Sequence, residues 1–185
     1  MLPAQTKRRR FDVHQYHRMA EAGILDEDDH VELIDGEIVE MAAVGGRHIR
    51  TVNRLNMLLS SPASRRELVV SVQNPLRLDD ATEPEPDLVL LSEDSGEEVP
   101  KAHEALLVVE VAETSLSWDR NVKLVRYARA EVPEVWLVDL FSSSVEVYTG
   151  PRPDGSYATV RTLGADAELA CGALGGLGSR VSEIL

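Results

Sequence analysis

EPDLVLL (residues 85–91) and ALLVVEV (residues 105–111) are the two runs of sequence that decide the fold. Each holds several consecutive apolar residues without a charge, which is typical of a short strand buried on both faces of a sheet. Asp87 stands at the start of the first run and Glu110 follows the apolar part of the second. Acids placed in this way can meet at one edge of a sheet, and Lys123 follows in a predicted helix.

Two carboxylates and a lysine at such an edge would form an oxygen-rich pocket beside one positive charge. Hard divalent cations, Mg²⁺ or Mn²⁺, take oxygen ligands of this kind. A metal-activated water in the pocket could cleave a phosphodiester, so the sequence predicts hydrolysis of nucleic acid. Two interpretations of Lys123 stay open, since its stem either carries the ammonium over apolar surface into the pocket or leaves it exposed on a helix.

Length and composition predict one domain over residues 11–185, preceded by a basic tail at residues 1–10. The tail is expected to be flexible and solvated, or to touch phosphates. No apolar run approaches the roughly 20 residues of a membrane helix, so no membrane partner is expected. Cys171 is the single cysteine, which excludes an internal disulfide and makes cytoplasmic residence the default expectation.

The net charge of −13 argues against a nucleic-acid partner, because proteins that bind nucleic acid are usually basic. Charges more than about 8 Å apart are largely screened at physiological ionic strength, which weakens the objection. Bound divalent cations would weaken it further, since they change the local sign of the charge.

VELIDGEIVEM (residues 31–41) has the pattern of a β-hairpin. Asp35-Gly36 supplies the positive φ angles that a two-residue hairpin turn requires. Alternation along the first strand places Glu32 on the same face as Ile34, where a carboxylate needs a partner. Glu32 is therefore either an acid of the metal site or one half of a structural ion pair.

A helix is predicted over residues 47–60, after the glycine pair Gly45-Gly46, which disfavours a helix. His48 lies on the core-facing stripe of this helix, where a histidine is usually a hydrogen-bonded core residue. The exception applies if this end of the helix borders the metal pocket. A second stripe consists of Arg47, Arg50 and Arg54, and it forms either a solvated face or a contact with phosphates.

The remaining pattern predicts one α/β domain in which helices flank a sheet. Asp12 is expected to cap a helix over residues 13–22, and Pro133 to end a helix over residues 118–130. Strands are predicted at residues 67–72, 135–139, 145–149 and 157–162, polar loops at 79–86 and 92–101, and a short helix ending at Leu185.

Several motifs occur in an order that resembles one family: VELIDGE (31–37), His48, EPEPD (83–87), VEV (109–111), Asp119 to Lys123 to Tyr127, and VPEVWLVD (132–139). The chain is similar in these motifs to the Uma-two family of endonucleases, within the restriction-endonuclease-like superfamily. The resemblance spans roughly residues 11–150. It implies a mixed central sheet flanked by helices, with an added N-terminal hairpin.

The resemblance also implies roles for individual residues. Asp87 and Glu110 would be metal-binding carboxylates. In the mechanism that these roles suggest, the backbone carbonyl of Val111 joins them in holding one Mg²⁺ or Mn²⁺ ion. Lys123 would be the catalytic lysine. The pocket would be completed by Glu32 and His48, and the expected substrate is nucleic acid, with DNA favoured.

This chain departs from the wider pattern in two places. In the superfamily the lysine lies two residues after the glutamate, where this chain has Ala112, whereas members of the family resemble this chain in supplying it from the following helix. Many members carry Ser-Pro-Ser-Thr after the Glu-Val pair, and this chain has ETSL at residues 113–116.

A second interpretation is a catalytically idle member of the fold with a binding or assembly role. A homodimer through residues 145–162 is expected under either interpretation, because small symmetric oligomers are common. A zinc protein is disfavoured, since one cysteine and five scattered histidines give no zinc-ligand spacing.

Overall fold

The structure is a computed structural model that describes residues 7–26, 28–92, 98–177 and 179–185. Its helices are α1 (Val13–Glu21), α2 (Gly46–Ser64), α3 (Leu116–Trp118), α4 (Leu124–Arg129) and α5 (Val181–Ile184). Its strands are β1 (Val31–Ile34), β2 (Glu37–Glu40), β3 (Val69–Val72), β4 (Leu88–Leu91), β5 (Ala105–Ala112), β6 (Glu134–Asp139), β7 (Ser144–Pro151), β8 (Tyr157–Leu163), β9 (Glu168–Leu169) and β10 (Ser179–Arg180).

Six strands form one mixed sheet in the order β3-β4-β5-β6-β7-β8. Strands β5 and β6 are parallel and every other neighbouring pair is antiparallel. The connection between the two parallel strands contains α3 and α4, as a parallel crossover requires. This architecture confirms the mixed sheet flanked by helices that the sequence predicts.

Both faces of the sheet are covered, which explains why β4 and β6 read as continuous apolar runs. Helix α2 and the C-terminal segment pack on one face around Leu55 and Leu59, and α4 packs on the other around Tyr127 and Ala128. Every residue of β4 and β6 is buried. The burial that the sequence predicts for the apolar runs is therefore confirmed for β4 and, at all but one position, for β5.

Strands β1 and β2 form a separate two-stranded hairpin that docks beside the main sheet. Leu33 exchanges backbone hydrogen bonds with Glu83, which attaches β1 to the segment leading into β4. Glu32, Leu33 and Ile34 are all buried, so both faces of β1 are covered. Glu32 consequently has no access to bulk solvent along either face of its strand.

The helix predicted over residues 118–130 has a different geometry from the one expected. It begins earlier, at Leu116, and a π-helical turn spans Asp119–Lys123 between α3 and α4. A π-turn inserts one residue into the helical ladder and is frequently found at functional sites. It carries Asp119 and Lys123 on its inner side, since both are buried.

Other boundaries also shift for local reasons. Helix α2 continues past the predicted residue 60 and includes Pro62, because Leu59 and Ala63 are buried against the sheet and stabilise the last turn. Strand β3 begins at Val69 rather than residue 67, since Glu67 has a φ of +60° that a strand cannot contain. Part of the predicted loop 92–101, residues 93–97, lies outside the described residues.

The N-terminal segment before α1 contacts the hairpin. Arg8 and Arg10, from the predicted basic tail, form ion pairs with Glu37 on β2, while residues 1–6 lie outside the described part of the chain. Among the residues that the structure describes, none of the helices combines the length and the apolar character needed to span a bilayer.

We predict that Gly36→Ala destabilises the fold more than Gly23→Ala does. Both glycines have positive φ angles, so both substitutions incur backbone strain of about 1–2 kcal/mol. A Cβ at Gly36 would also lie 2.7 Å from Arg10 Cβ and 2.8 Å from the Phe11 carbonyl oxygen, whereas nothing lies within 4 Å at Gly23. Urea titration should show a further loss of about 1–3 kcal/mol for Gly36→Ala. Equal losses for the two variants would contradict the packing of residues 10–11 against the hairpin turn.

Candidate active site

Asp87 and Glu110 meet at one edge of the sheet. Leu88 pairs with Val109 in the antiparallel ladder between β4 and β5, which places Asp87 opposite Glu110. The Asp87 carboxylate reaches past Glu110, and its Oδ2 accepts a hydrogen bond of 2.8 Å from the Val111 amide. Both acids are buried, so two carboxylates far apart in the chain share one low-dielectric site.

Lys123 lies at the centre of this site, with only 2% of its surface exposed. Its Nζ is 2.7 Å from Glu110 Oε1 and 3.0 Å from Glu32 Oε1. Burial lowers the pKa of Lys123, but the charges of Glu110 and Glu32 act in the opposite direction and leave that pKa raised. The ammonium therefore stays charged and joins β1, β5 and the π-helical turn.

Glu110 carries a second hydrogen bond on the same oxygen that faces Lys123. The Tyr127 hydroxyl donates to Glu110 Oε1 at 2.5 Å from α4. Burial raises the pKa of Glu110, and the Lys123 ammonium opposes that effect. Because both contacts end on Oε1, the other carboxylate oxygen of Glu110 remains for a further ligand.

Glu32 shows the same division between its two oxygens. Its Oε1 accepts from Lys123 and, at 2.9 Å, from the Glu85 amide. Its Oε2 is buried and has no hydrogen-bond partner. A buried carboxylate oxygen without a donor is costly, and a bound cation would satisfy it.

His48 lies in the first turn of α2, and its Nε2 is 2.9 Å from Asp87 Oδ1. The hydrogen bond to Asp87 raises the pKa of His48, although burial acts against it. Nδ1 of the same ring is buried without a hydrogen-bond partner. Of the two interpretations of His48, the structure therefore favours the one in which this end of α2 borders the pocket.

These residues line a cleft of about 500 Å³ between the hairpin, the end of β5 and the start of α2. The cleft is also lined by Glu85, Glu113 and Asp119. Asp119 is buried and accepts a hydrogen bond of 2.6 Å from the Ser115 hydroxyl, and burial raises its pKa. The cleft thus combines many carboxylates with one buried ammonium.

No cluster of three or more His, Cys, Asp or Glu side chains among the described residues is arranged to hold a metal ion. The reason lies in the contacts already formed. His48 and the Val111 amide occupy the two oxygens of Asp87, while Lys123 takes one oxygen each from Glu32 and Glu110. The donors suit a hard cation chemically, and the unpartnered Oε2 of Glu32 fits one.

The arginine stripe on α2 lies outside the buried cluster. The Arg47 Nη2 donates to the Leu140 carbonyl at 2.7 Å, and the Arg54 guanidinium contacts the carbonyl oxygen of Leu185. Arg50 is exposed. A role for the stripe in binding phosphates stays a prediction.

Sequence reasoning left two residues of the site without a role. Asp119 and Tyr127 both belong to the family motif around Lys123, from which only Lys123 receives a role. Their spacing from Lys123, four residues on either side, is the signal that could have placed both beside it, because residues four apart share a helix face.

We predict that Lys123→Met lowers the free energy of unfolding by about 3–5 kcal/mol at pH 8 in EDTA, because it leaves Glu32 and Glu110 buried without a counter-charge. The loss should shrink at pH 5. Burial already raises the pKa of Glu110, and the variant lacks the ammonium that opposes this effect. The folded variant therefore holds the Glu110 proton to higher pH than the unfolded chain does, so stability is present at low pH and is lost as pH increases. Denaturant titration at both pH values checks this.

The matched control is Lys101→Met, because the ion pair of Lys101 with Glu98 is exposed. It should change stability by less than about 0.5 kcal/mol. A Lys123→Met loss that is the same at both pH values would contradict the ion-pair account.

Comparisons with known proteins come from sequence and from structure. Residues 13–182 match the sequence model of the Uma2 family, which is described as "Putative restriction endonuclease". The fold is similar to the crystal structure of a "putative nuclease belonging to DUF820" from Anabaena variabilis, with a TM-score of 0.68 and 16% identity over 89% of this chain and 94% of that chain. No curated protein matches the chain in sequence. Because the family match covers almost the whole chain, the protein belongs to the Uma2 family, as its ordered motifs predict.

Proposed function

We propose that the chain is a Mg²⁺- or Mn²⁺-dependent endonuclease that hydrolyses phosphodiester bonds of nucleic acid, with DNA favoured as the substrate. One observation carries the proposal. Three buried acids, Glu32, Asp87 and Glu110, converge with Lys123 on an open cleft at one sheet edge. Buried ionisable groups that face a cleft in this way are concentrated at active sites.

Asp87, Glu110 and the carbonyl of Val111 would hold the ion. Support for Val111 comes from its amide, which points towards Asp87, because the N–H and C=O of a strand residue face the same side. The free Oε2 of Glu32 would bind a second ion or a water. Such an ion lowers the pKa of a bound water and neutralises the charge of the scissile phosphate.

Lys123 and His48 would act on the reacting groups through charge. The Lys123 ammonium would orient the attacking water or stabilise the charge that develops on phosphorus oxygens, an effect typically worth about 3 kcal/mol. His48 would keep the Asp87 carboxylate in place or contact the phosphate itself. Each role requires only that the charged group reach the cleft, which both side chains line.

A homodimer in the cytoplasm is the expected form of this enzyme. Strand β8 is the last strand of the sheet, and residues 158–162 are exposed along it. An unpaired edge strand presents backbone groups to a second strand, and symmetric pairing with another copy is a common outcome.

One observation favours the alternative of a catalytically idle module. Lys123 already compensates the charges of Glu32 and Glu110, and the described residues contain no assembled group of three metal ligands. Under this alternative the buried ion pairs would serve the fold alone, and the cleft would bind a partner without chemistry.

We expect Asp87→Asn and Glu110→Gln each to abolish Mn²⁺-dependent cleavage of DNA and to weaken Mn²⁺ binding in calorimetry at least tenfold. Each substitution removes a negative ligand at nearly constant shape. Circular dichroism should show that the fold persists. Glu168→Gln, which alters an exposed carboxylate on β9, is the matched control and should behave as the parent chain does.

Three outcomes separate the alternatives. Cleavage that persists in purified Asp87→Asn would place the chemistry elsewhere. No Mn²⁺ binding by the parent chain would favour the idle module. Metal binding without cleavage of DNA or RNA would point to a different phosphodiester.

Light scattering should give twice the chain mass of 20.4 kDa. Val160→Lys should shift the chain towards the monomer, because a charge on the half-exposed Val160 opposes pairing of two β8 edges. Met57→Lys, at an exposed position on α2, should not. A monomeric parent chain at micromolar concentration would exclude the homodimer.

A further inference from the structure

Phe141 is an exposed aromatic residue at an unexpected place in the fold. Among the described residues, the large apolar side chains with high exposure are Ile24, Val44, Ile49, Met57, Phe141 and Val160. Phe141 is the only aromatic ring among them and the most exposed, at 92%. Single exposed aliphatic residues are ordinary, but the tip of a β-turn usually carries Gly, Asn, Asp or Ser.

The turn that carries Phe141 is held firmly. Asp139 Oδ1 accepts hydrogen bonds from the amides of Phe141 and Ser142, at 2.9 and 3.2 Å. The Ser142 hydroxyl donates to Asp139 Oδ2 at 2.6 Å. Leu140, next to Phe141, is buried in the core. The backbone that carries the ring is therefore held in place, and binding of a flat partner would need to order only the side chain.

The same turn lies beside the cleft. The Leu140 amide donates to the Ala112 carbonyl at 3.0 Å, so the turn adjoins the end of β5 just past Glu110. The Leu140 carbonyl accepts from Arg47 at 2.7 Å. Arg47 precedes His48, which contacts Asp87. The turn that carries Phe141 thus contacts, through Leu140, the two elements β5 and α2 that supply residues to the candidate active site.

Two arginine side chains on α2 add positive charge on the side of the fold that carries the Phe141 turn. Arg47 and Arg50 are exposed, and Arg47 anchors the turn that carries Phe141. Proteins that bind single-stranded nucleic acid combine cations that follow the phosphates with an aromatic ring on which a base stacks. A base inside a duplex is already stacked on both sides, so a lone exposed ring is suited to an unpaired base.

We propose that Phe141 is the platform on which one unpaired base of a single-stranded nucleic acid stacks beside the cleft, while Arg47 and Arg50 contact the neighbouring phosphates. This inference rests on the proposed function and narrows its substrate class. It makes single-stranded segments, rather than intact duplex, the preferred ligand.

The test measures the affinity of labelled 12-nucleotide DNA by fluorescence anisotropy, with Ca²⁺ as the divalent cation because it also takes oxygen ligands. Phe141→Ala should weaken single-strand binding by about 5- to 100-fold, the range expected for loss of one stacked base. Phe141→Trp should retain it. Met57→Ala, which truncates an exposed apolar side chain on α2, is the matched control and should leave binding unchanged.

A second series uses strands that each lack one base. One abasic position should weaken binding to the parent chain as much as Phe141→Ala does, and should have no further effect in that variant, because the two changes remove the same contact. The affinity of Phe141→Ala for duplex DNA should differ from that of the parent chain by less than twofold.

The inference would be overturned if Phe141→Ala bound single strands as tightly as the parent chain does. It would also be overturned if no abasic position weakened binding to the parent chain. Cleavage of nucleic acid by the parent chain would still support the proposed function in either case. A parent chain that neither binds nor cleaves nucleic acid would overturn both.

Discussion

The buried contact of the Lys123 ammonium with Glu110 and Glu32 is the interaction on which the site depends. It joins three segments that are distant in sequence: the N-terminal hairpin, the central strand β5 and the π-helical turn. Hydrophobic residues of similar volume could hold these segments together at lower desolvation cost, so a buried ion triad is weak evidence for stability alone. Its position in a cleft agrees with the catalytic role that we propose for the site.

The hairpin has a clear purpose in this arrangement. A two-stranded hairpin is marginally stable by itself, and here it docks through Leu33 against Glu83 and through Glu32 against the Glu85 amide. Docking places Glu32 at the cleft, where its Oε1 accepts a hydrogen bond from Lys123. The hairpin therefore adds Glu32 to the site, and the burial of β1 on both faces holds this carboxylate in place.

Much of this arrangement follows from local sequence, and some of it cannot. The apolar runs before Glu110 and after Asp87 fix two buried strands, and antiparallel pairing then brings the acids together without further information. The burial of Lys123 is different, because it depends on Glu32, which lies 91 residues away. No local pattern encodes such a contact, and a lone helical lysine is normally exposed.

Backbone irregularities were missed for a related reason. The π-turn at Asp119–Lys123 and the continuation of α2 through Pro62 both run against local propensity, and packing of the buried face offsets that preference. Asp119 and Tyr127 flank Lys123 at helical spacing, so their place in the site was encoded. The sequence of the helix does not show, however, that this face packs against carboxylates rather than against an apolar core, because its partners come from β1 and β5.

The distribution of charge addresses how a chain with a net charge of −13 could bind a polyanion. Several acids line the cleft, where a divalent cation would offset part of their charge: Glu32, Glu85, Asp87, Glu110, Glu113 and Asp119. The exposed cations of α2 lie outside it, next to the turn that carries Phe141. Screening removes most of the repulsion from acids beyond about 8 Å. Under the proposed function, a strand that contacts Arg47 and Arg50 would therefore meet favourable charge before it reaches the acids, and a cation bound in the cleft would then attract its phosphate.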